Sequence, residues 1–110
     1  GATVKKTSPQ AEAVMMTEDE ASFMTGLMKE VVESGTASKL KGLSYTAAGK
    51  TGSAVFSGNK SDSHAWFTGF APAEDPQICV TIIVESAGSG GDYAVPIARR
   101  IFDTYFGTND

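Results

Sequence analysis

Gly49-Lys50-Thr51 is where residue types and spacing first suggest chemistry, because a lysine between a glycine and a hydroxyl is how a phosphate-binding P-loop ends. That motif needs another glycine five positions before Gly49, and Ser44 stands there. It also needs a helix to follow, whereas Ser53-Ala54-Val55-Phe56 reads as strand. Gly88-Ser89-Gly90-Gly91 lacks the G-x-G-x-x-G spacing of a dinucleotide site and is read as a tight turn ahead of a helix. No nucleotide cofactor is expected. Cys79 is the single cysteine, no Cys/His pairing suggests a metal, and its place in an apolar run makes it a small core residue. His64, the single histidine, is of a type that can act as a general base.

The elements that must position these groups follow from periodicity. Residues 2–16 carry no helical period and contain Ser8-Pro9, so they are read as extended or irregular. Thr17-Glu18-Asp19-Glu20 has capping-box spacing, in which the Thr hydroxyl and Glu carboxylate satisfy unpaired amides at a helix start. Phe23, Met24, Leu27, Met28, Val31 and Val32 then form one apolar stripe, with the methionines as core filler, and Gly35 stops the helix. Residues 35–49 are small and polar and are read as a loop with at most a short helical turn. Three strand-like runs follow, Gly49 to Phe56, His64 to Ala71 and Gln77 to Ser86, with short connections that favour antiparallel neighbours. The third run has Ile78, Val80, Ile82 and Val84 on one face and Cys79 and Ile83 on the other, so a central or well-covered strand is expected. Asp92 can cap a closing helix carrying Val95, Ile97, Ala98, Ile101, Phe102 and Tyr105, with Pro96 confined to its first turn. Helix, three strands, helix implies an α+β fold, an antiparallel sheet flanked by helices.

Bulk properties narrow the function. A chain of 110 residues is one domain at most and buries roughly 60 to 70% of its unfolded surface, a modest core. With 41% hydrophobic and 20% charged residues it is neither disordered nor fibrous. The net charge of -4 is scattered and the cations form no stripe, which speaks against nucleic acid. Ile78 to Val84 is far short of the ~20 apolar residues of a membrane span, and Gly1-Ala2-Thr3 leads into polar residues, unlike a signal peptide.

On a strand, Lys50-Thr51-Gly52 is also the third signature of the serine acyl-transferases that react with penicillin, beside S-x-x-K and S-x-N. Its context carries the resemblance: Ala48-Gly49-Lys50-Thr51-Gly52-Ser53-Ala54, then His64-Ala65-Trp66-Phe67-Thr68-Gly69-Phe70-Ala71-Pro72, a Val/Ile strand ending Val84-Glu85, Gly88-Ser89-Gly90-Gly91 and Ala94-Val95-Pro96-Ile97-Ala98. With Val31-Val32-Glu33-Ser34-Gly35-Thr36-Ala37 upstream, the chain from about Thr17 onward resembles the C-terminal third of penicillin-binding proteins. His-Ala-Trp-Phe is most similar to the monofunctional, class B-like transpeptidases of elongation or division; a β-lactamase fits less well. The resemblance implies a partial serine β-lactamase/penicillin-binding transpeptidase fold. It also implies that Lys50 supplies positive charge toward the substrate's acidic end and the serine hydroxyl network. Thr51 would hydrogen-bond the carboxylate of a D-Ala-D-Ala stem peptide or a β-lactam, and Gly52 would let the acyl group approach. The backbone N–H of Ser53, where the family most often has Thr, would be one oxyanion-hole donor. His64, Trp66 and Phe67 would be structural.

The nucleophile is what the pattern lacks. Ser38-Lys39-Leu40-Lys41 matches S-x-x-K and Ser57-Gly58-Asn59 matches S-x-N, yet the family's order is S-x-x-K, S-x-N, K-T-G, and here the S-x-N match follows Lys50. Ser38 sits in a polar loop with no apolar helix to bury a lysine and tune its pKa. Both are rejected, and residues 1–110 are read as a C-terminal fragment of a transpeptidase domain whose nucleophile lies outside it. The parent would be anchored with this part on the extracytoplasmic face of the bacterial cell membrane. Its partners would be stem peptide, β-lactams and the rest of the domain, with no metal or other cofactor, and the isolated chain would be inactive and marginally stable. The competing reading is a non-catalytic binding or β-lactam-sensing module of the same fold.

Overall fold

The computed structural model describes residues 8–58 and 62–107. The element order is α1 (Glu18–Ser34), a 3-10 turn (Ser38–Leu40), β1 (Ala48–Val55), β2 (Ser63–Ala71), β3 (Ile78–Val84), a π turn (Gly90–Ala94) and α2 (Val95–Phe106). Helix α1 starts where the capping box predicts: the Glu20 amide donates to the Thr17 hydroxyl at 3.1 Å and the Thr17 amide to the Glu20 carboxylate at 2.9 Å. These bonds, backbone first, hold the Glu20 carboxyl below its ordinary value. Gly35 caps its C-terminus, Pro96 lies in the first turn of α2, and Gly107, left-handed at φ 76°, ends that helix.

The strands form one antiparallel sheet in the order β1-β2-β3. Side chains alternate across a strand, and the register sorts them. Gly49, Thr51 and Ser53 share a face with Ala65, Phe67 and Gly69, and with Val80, Ile82 and Val84. Both helices cover this inner face, where Phe67 and Ala65 pack with Val32, Leu40, Val95, Ala98 and Phe102. The cross-strand pair Gly49 and Gly69 makes room for the Phe67 ring. A Cβ on either glycine would stand 2.5 Å or less from it, so Gly49 is a packing glycine rather than a phosphate-loop one.

Several sequence expectations are corrected by the packing. β3 is an edge strand rather than a central one, and its outer residues Cys79, Thr81 and Ile83 are exposed because no described element covers that face. Cys79 is therefore not a core residue. Trp66, also on the outer face, is 39% exposed, whereas Phe67 packs as expected. Only the C-terminal end of the α1 stripe meets the sheet. Val32 is buried and Val31 and Met28 partly so, but Phe23, Met24 and Leu27 are exposed, so Met24 fills no core. Asp92 caps nothing; its carboxylate receives a bond from Lys39 Nζ at 3.3 Å. In α2 the buried stripe is Val95, Ala98 and Phe102, while Ile97, Ile101 and Tyr105 line an open groove of about 560 Å³ with Ile78.

Candidate functional site

Lys50, Thr51, Gly52 and Ser53 lie consecutively in β1, whose second edge has no strand partner among the described residues. Hydrogen-bond parity decides what that edge presents. The Phe56 amide donates to the Asp62 carbonyl at 3.0 Å, one step beyond the Val55–Ser63 pair, which makes this a hydrogen-bonded pair. Such pairs alternate with non-bonded ones in an antiparallel ladder. The even residues of β1 therefore turn their amides toward β2, and Gly49, Thr51 and Ser53 point N–H and C=O to the open edge. Lys50 Nζ reaches round to donate to the Thr51 carbonyl at 2.7 Å, as that parity requires. An edge of this kind offers donors and acceptors to an extended ligand, which adds to the sheet as a further strand.

The two side chains straddle that edge. Lys50 is exposed on the outer face, and Thr51 is 8% exposed on the inner one, its hydroxyl 2.5 Å from that of Thr36. A hydroxyl has one proton and two lone pairs, so Thr51 can accept from Thr36 and still donate to a carboxylate. Thr36 leaves the end of α1, and its carbonyl faces Gly91, where an added Cβ would come within 2.6 Å. Gly90 lies against the inner face at the Gly52–Trp66 pair. Neither contact was assigned a role from the sequence, although Thr36 and Gly90 both lie in stretches that carry the family resemblance; a threonine 15 positions from another gives no sign of touching it.

Two further clamps hold the loop that enters β1. The Tyr45 hydroxyl donates to Asp103 of α2 at 2.8 Å, and its ring packs on Phe106 at 4.5 Å between centroids. Burial, and then the hydrogen bond to the Asp103 carboxylate, raise the Tyr45 pKa well above its ordinary value. Beside it, Thr46 accepts from the Ala73 amide at 2.9 Å and donates to Glu74, which Lys29 reaches at 3.0 Å. The Thr46 and Lys29 bonds hold the Glu74 carboxyl down to about 2.

The other candidates resolve as structure. His64 Nδ1 accepts the Ser86 amide at 3.0 Å, where the chain turns with φ 55°, and its ring stacks on Phe56 at 4.6 Å. Ser38 and Lys41 are exposed on the 3-10 turn and its cap, with no buried helix around them. Ser57 donates to Asp62 at 2.8 Å, and Asn59 lies outside the described residues. Among the described residues no group of three His, Cys, Asp or Glu could hold a metal, and no helix is long and apolar enough to cross a membrane.

Comparison with known proteins supplies the context for this strand. The model of the penicillin binding protein transpeptidase domain matches residues 2–103. Peptidoglycan D,D-transpeptidase MrdA of Haemophilus influenzae is 40% identical over 74 residues, covering 56% of this chain and 11% of that protein. PbpA of Mycolicibacterium smegmatis, also a peptidoglycan D,D-transpeptidase, is 34% identical over 105 residues, 89% of this chain and 21% of its own. The penicillin G acyl-enzyme complex of penicillin-binding protein A from Mycobacterium tuberculosis superposes with a TM-score of 0.74 at 26% identity, over 96% of this chain and 24% of that one. The chain thus spans between about a tenth and a quarter of the length of these proteins.

Proposed function

Because the chain belongs to the penicillin-binding protein transpeptidase family, we propose that it supplies one wall of a serine acyl-transfer site whose nucleophile lies outside residues 1–110. The observation that carries this is the open edge of β1, where the Ser53 N–H and the Thr51 C=O face outward beside the Lys50 ammonium. In the proposed reaction a serine attacks the penultimate D-Ala carbonyl of a peptidoglycan stem, D-Ala leaves, and an amine of a neighbouring stem takes the acyl group. A β-lactam enters the same step and stays attached.

Each matched residue has a part in that step. The Ser53 N–H stabilises the oxyanion that forms on the attacked carbonyl, and being a backbone donor it is indifferent to Ser in place of Thr. Lys50 adds positive charge near the substrate carboxylate, and Thr51 donates to it. Gly52 offers no Cβ on the outer face, where its nearest neighbour would be the Trp66 Cβ at 3.6 Å. The cell-wall role places the parent protein at the extracytoplasmic face of the membrane, with peptidoglycan as its partner.

The test is labelling with fluorescent penicillin, read by intact mass. It compares the chain alone with a chimera in which residues 17–107 replace the matching segment of the M. smegmatis PbpA relative. No adduct on the chain and an adduct on the chimera are expected. Lys50→Ala in the chimera should slow labelling on the order of 10²-fold, the scale of a lost electrostatic contact in an acyl-transfer site. An adduct on the chain alone would make one of its own serines the nucleophile. An unlabelled but folded chimera would overturn the assignment of the wall and favour a non-catalytic module.

A further inference from the structure

We propose that Gly90 and Thr36 form a backing that sets the position of the Lys50–Ser53 strand, so that both are positioning residues for acyl transfer without touching substrate. The inference rests on the reading of that strand as a wall of the site. At the register of Gly52 and Trp66 both Cα–Cβ directions point to the outer face, so on the inner face this pair presents bare backbone. The flanking inner residues on that side, Ser53 and Ala65, are small. Gly90 fills the resulting recess. A Cβ placed on it would lie 2.4 Å from the Trp66 carbonyl oxygen, 2.8 Å from the Gly52 carbonyl oxygen and 3.2 Å from the Gly52 nitrogen. Every one of those atoms is main chain, so none can swing aside as a side chain would.

The recess is closed from behind. Gly91 abuts the Thr36 carbonyl, where a Cβ would meet oxygen at 2.6 Å, and the Thr36 hydroxyl holds that of Thr51. Thr36 therefore touches the glycine turn through its carbonyl and the strand through its hydroxyl. The segment Gly90–Gly91 is a spacer of fixed thickness between it and Gly52. The peptide that would be displaced by a thicker spacer joins Gly52 to Ser53, and it carries the proposed oxyanion donor. Acyl-transfer geometry is sensitive to shifts of ångström size, so the turn acts on rate through the strand.

Gly90→Ala and Thr36→Val test this in two settings, with Gly26→Ala as control because nothing lies within 4 Å of a Cβ there. In the 110-residue chain, 15N amide spectra should show the Gly52 and Ser53 resonances displaced in both variants and unmoved in the control. In the chimera, the acylation rate constant for penicillin should fall about 10-fold or more, while its non-covalent dissociation constant changes little. Thr36→Val nearly preserves shape, so it decides the matter should Gly90→Ala fail to fold. Unmoved Gly52 and Ser53 amides in a folded variant, or an unchanged acylation rate constant, would overturn the backing role. An unlabelled parent chimera with displaced amides would instead sink the functional reading while leaving the backing in place.

Discussion

Tyr45 shows how a single side chain ties the site to the body of the protein. Its hydroxyl is bound to Asp103, which is 8% exposed and also pairs with Arg99 at 3.7 Å, so Tyr45→Phe leaves a buried carboxylate with one bond fewer. A loss of about 1–2 kcal/mol is expected from the urea midpoint. The pH dependence follows from the raised pKa of Tyr45. A tyrosine that ionises near 10 when unfolded and higher when folded adds stability that is complete below about pH 10 and is lost as pH rises through the folded value. Urea midpoints taken from pH 8 to 11 should fall at the alkaline end for the natural protein and flatten for Tyr45→Phe. Parallel curves would show that the titrating group is another.

Among the elements, the β2–β3 turn and α1 are joined through Glu74. Thr46, just ahead of β1, and Lys29, on α1, both bind its carboxylate. Its carboxyl is held at about 2, below the usual ~4.3, so its contribution is present above the unfolded value and is lost as pH falls toward 2. Amide exchange between pH 5 and 2.5 should show residues 72–77 loosening in the natural chain. Glu74→Gln should loosen them already at pH 5. Equal protection in both would leave the clip without effect. At the start of α1, Thr17→Ala removes the N-cap acceptor and should cost about 1 kcal/mol of helix stability, seen as fraying of the first turn in the same exchange data.

At the scale of the molecule, no described element covers the outer face of the sheet or one face of α2. Trp66, Cys79 and Ile83 stand on the outer sheet face, and Ile78, Ile97, Ile101 and Tyr105 on the groove beside the edge strand β3. Apolar surface of this kind drives association in a protein that has nothing else to bury it. The 110-residue chain is therefore expected to self-associate at micromolar concentrations in sedimentation velocity, and Ile101→Glu to shift it toward monomer. A monomer unfolding cooperatively above about 60 °C, the upper range for mesophile domains, would show that these faces need no cover.

The local grammar of this chain was legible without coordinates. Capping box and glycine stop delimit α1, alternation and turn residues delimit three strands to within two residues, and the K-T-G context identifies the family. The capping, stop and strand signals are short-range, each carried by residues a few positions apart, and the family resemblance is a succession of such short motifs from Val31 to Ala98. Tertiary structure alone decided which apolar faces are covered, because periodicity reports that a face is apolar and not what lies on it. Apolar patterning predicts cover for Cys79, Met24 and Ile83, and all three are exposed. It also decided the contacts that support the candidate strand. Thr36 meets Thr51, Tyr45 meets Asp103, and Gly90 meets the backbone of Gly52 across separations of 15, 58 and 38 residues, where only packing sets the distance.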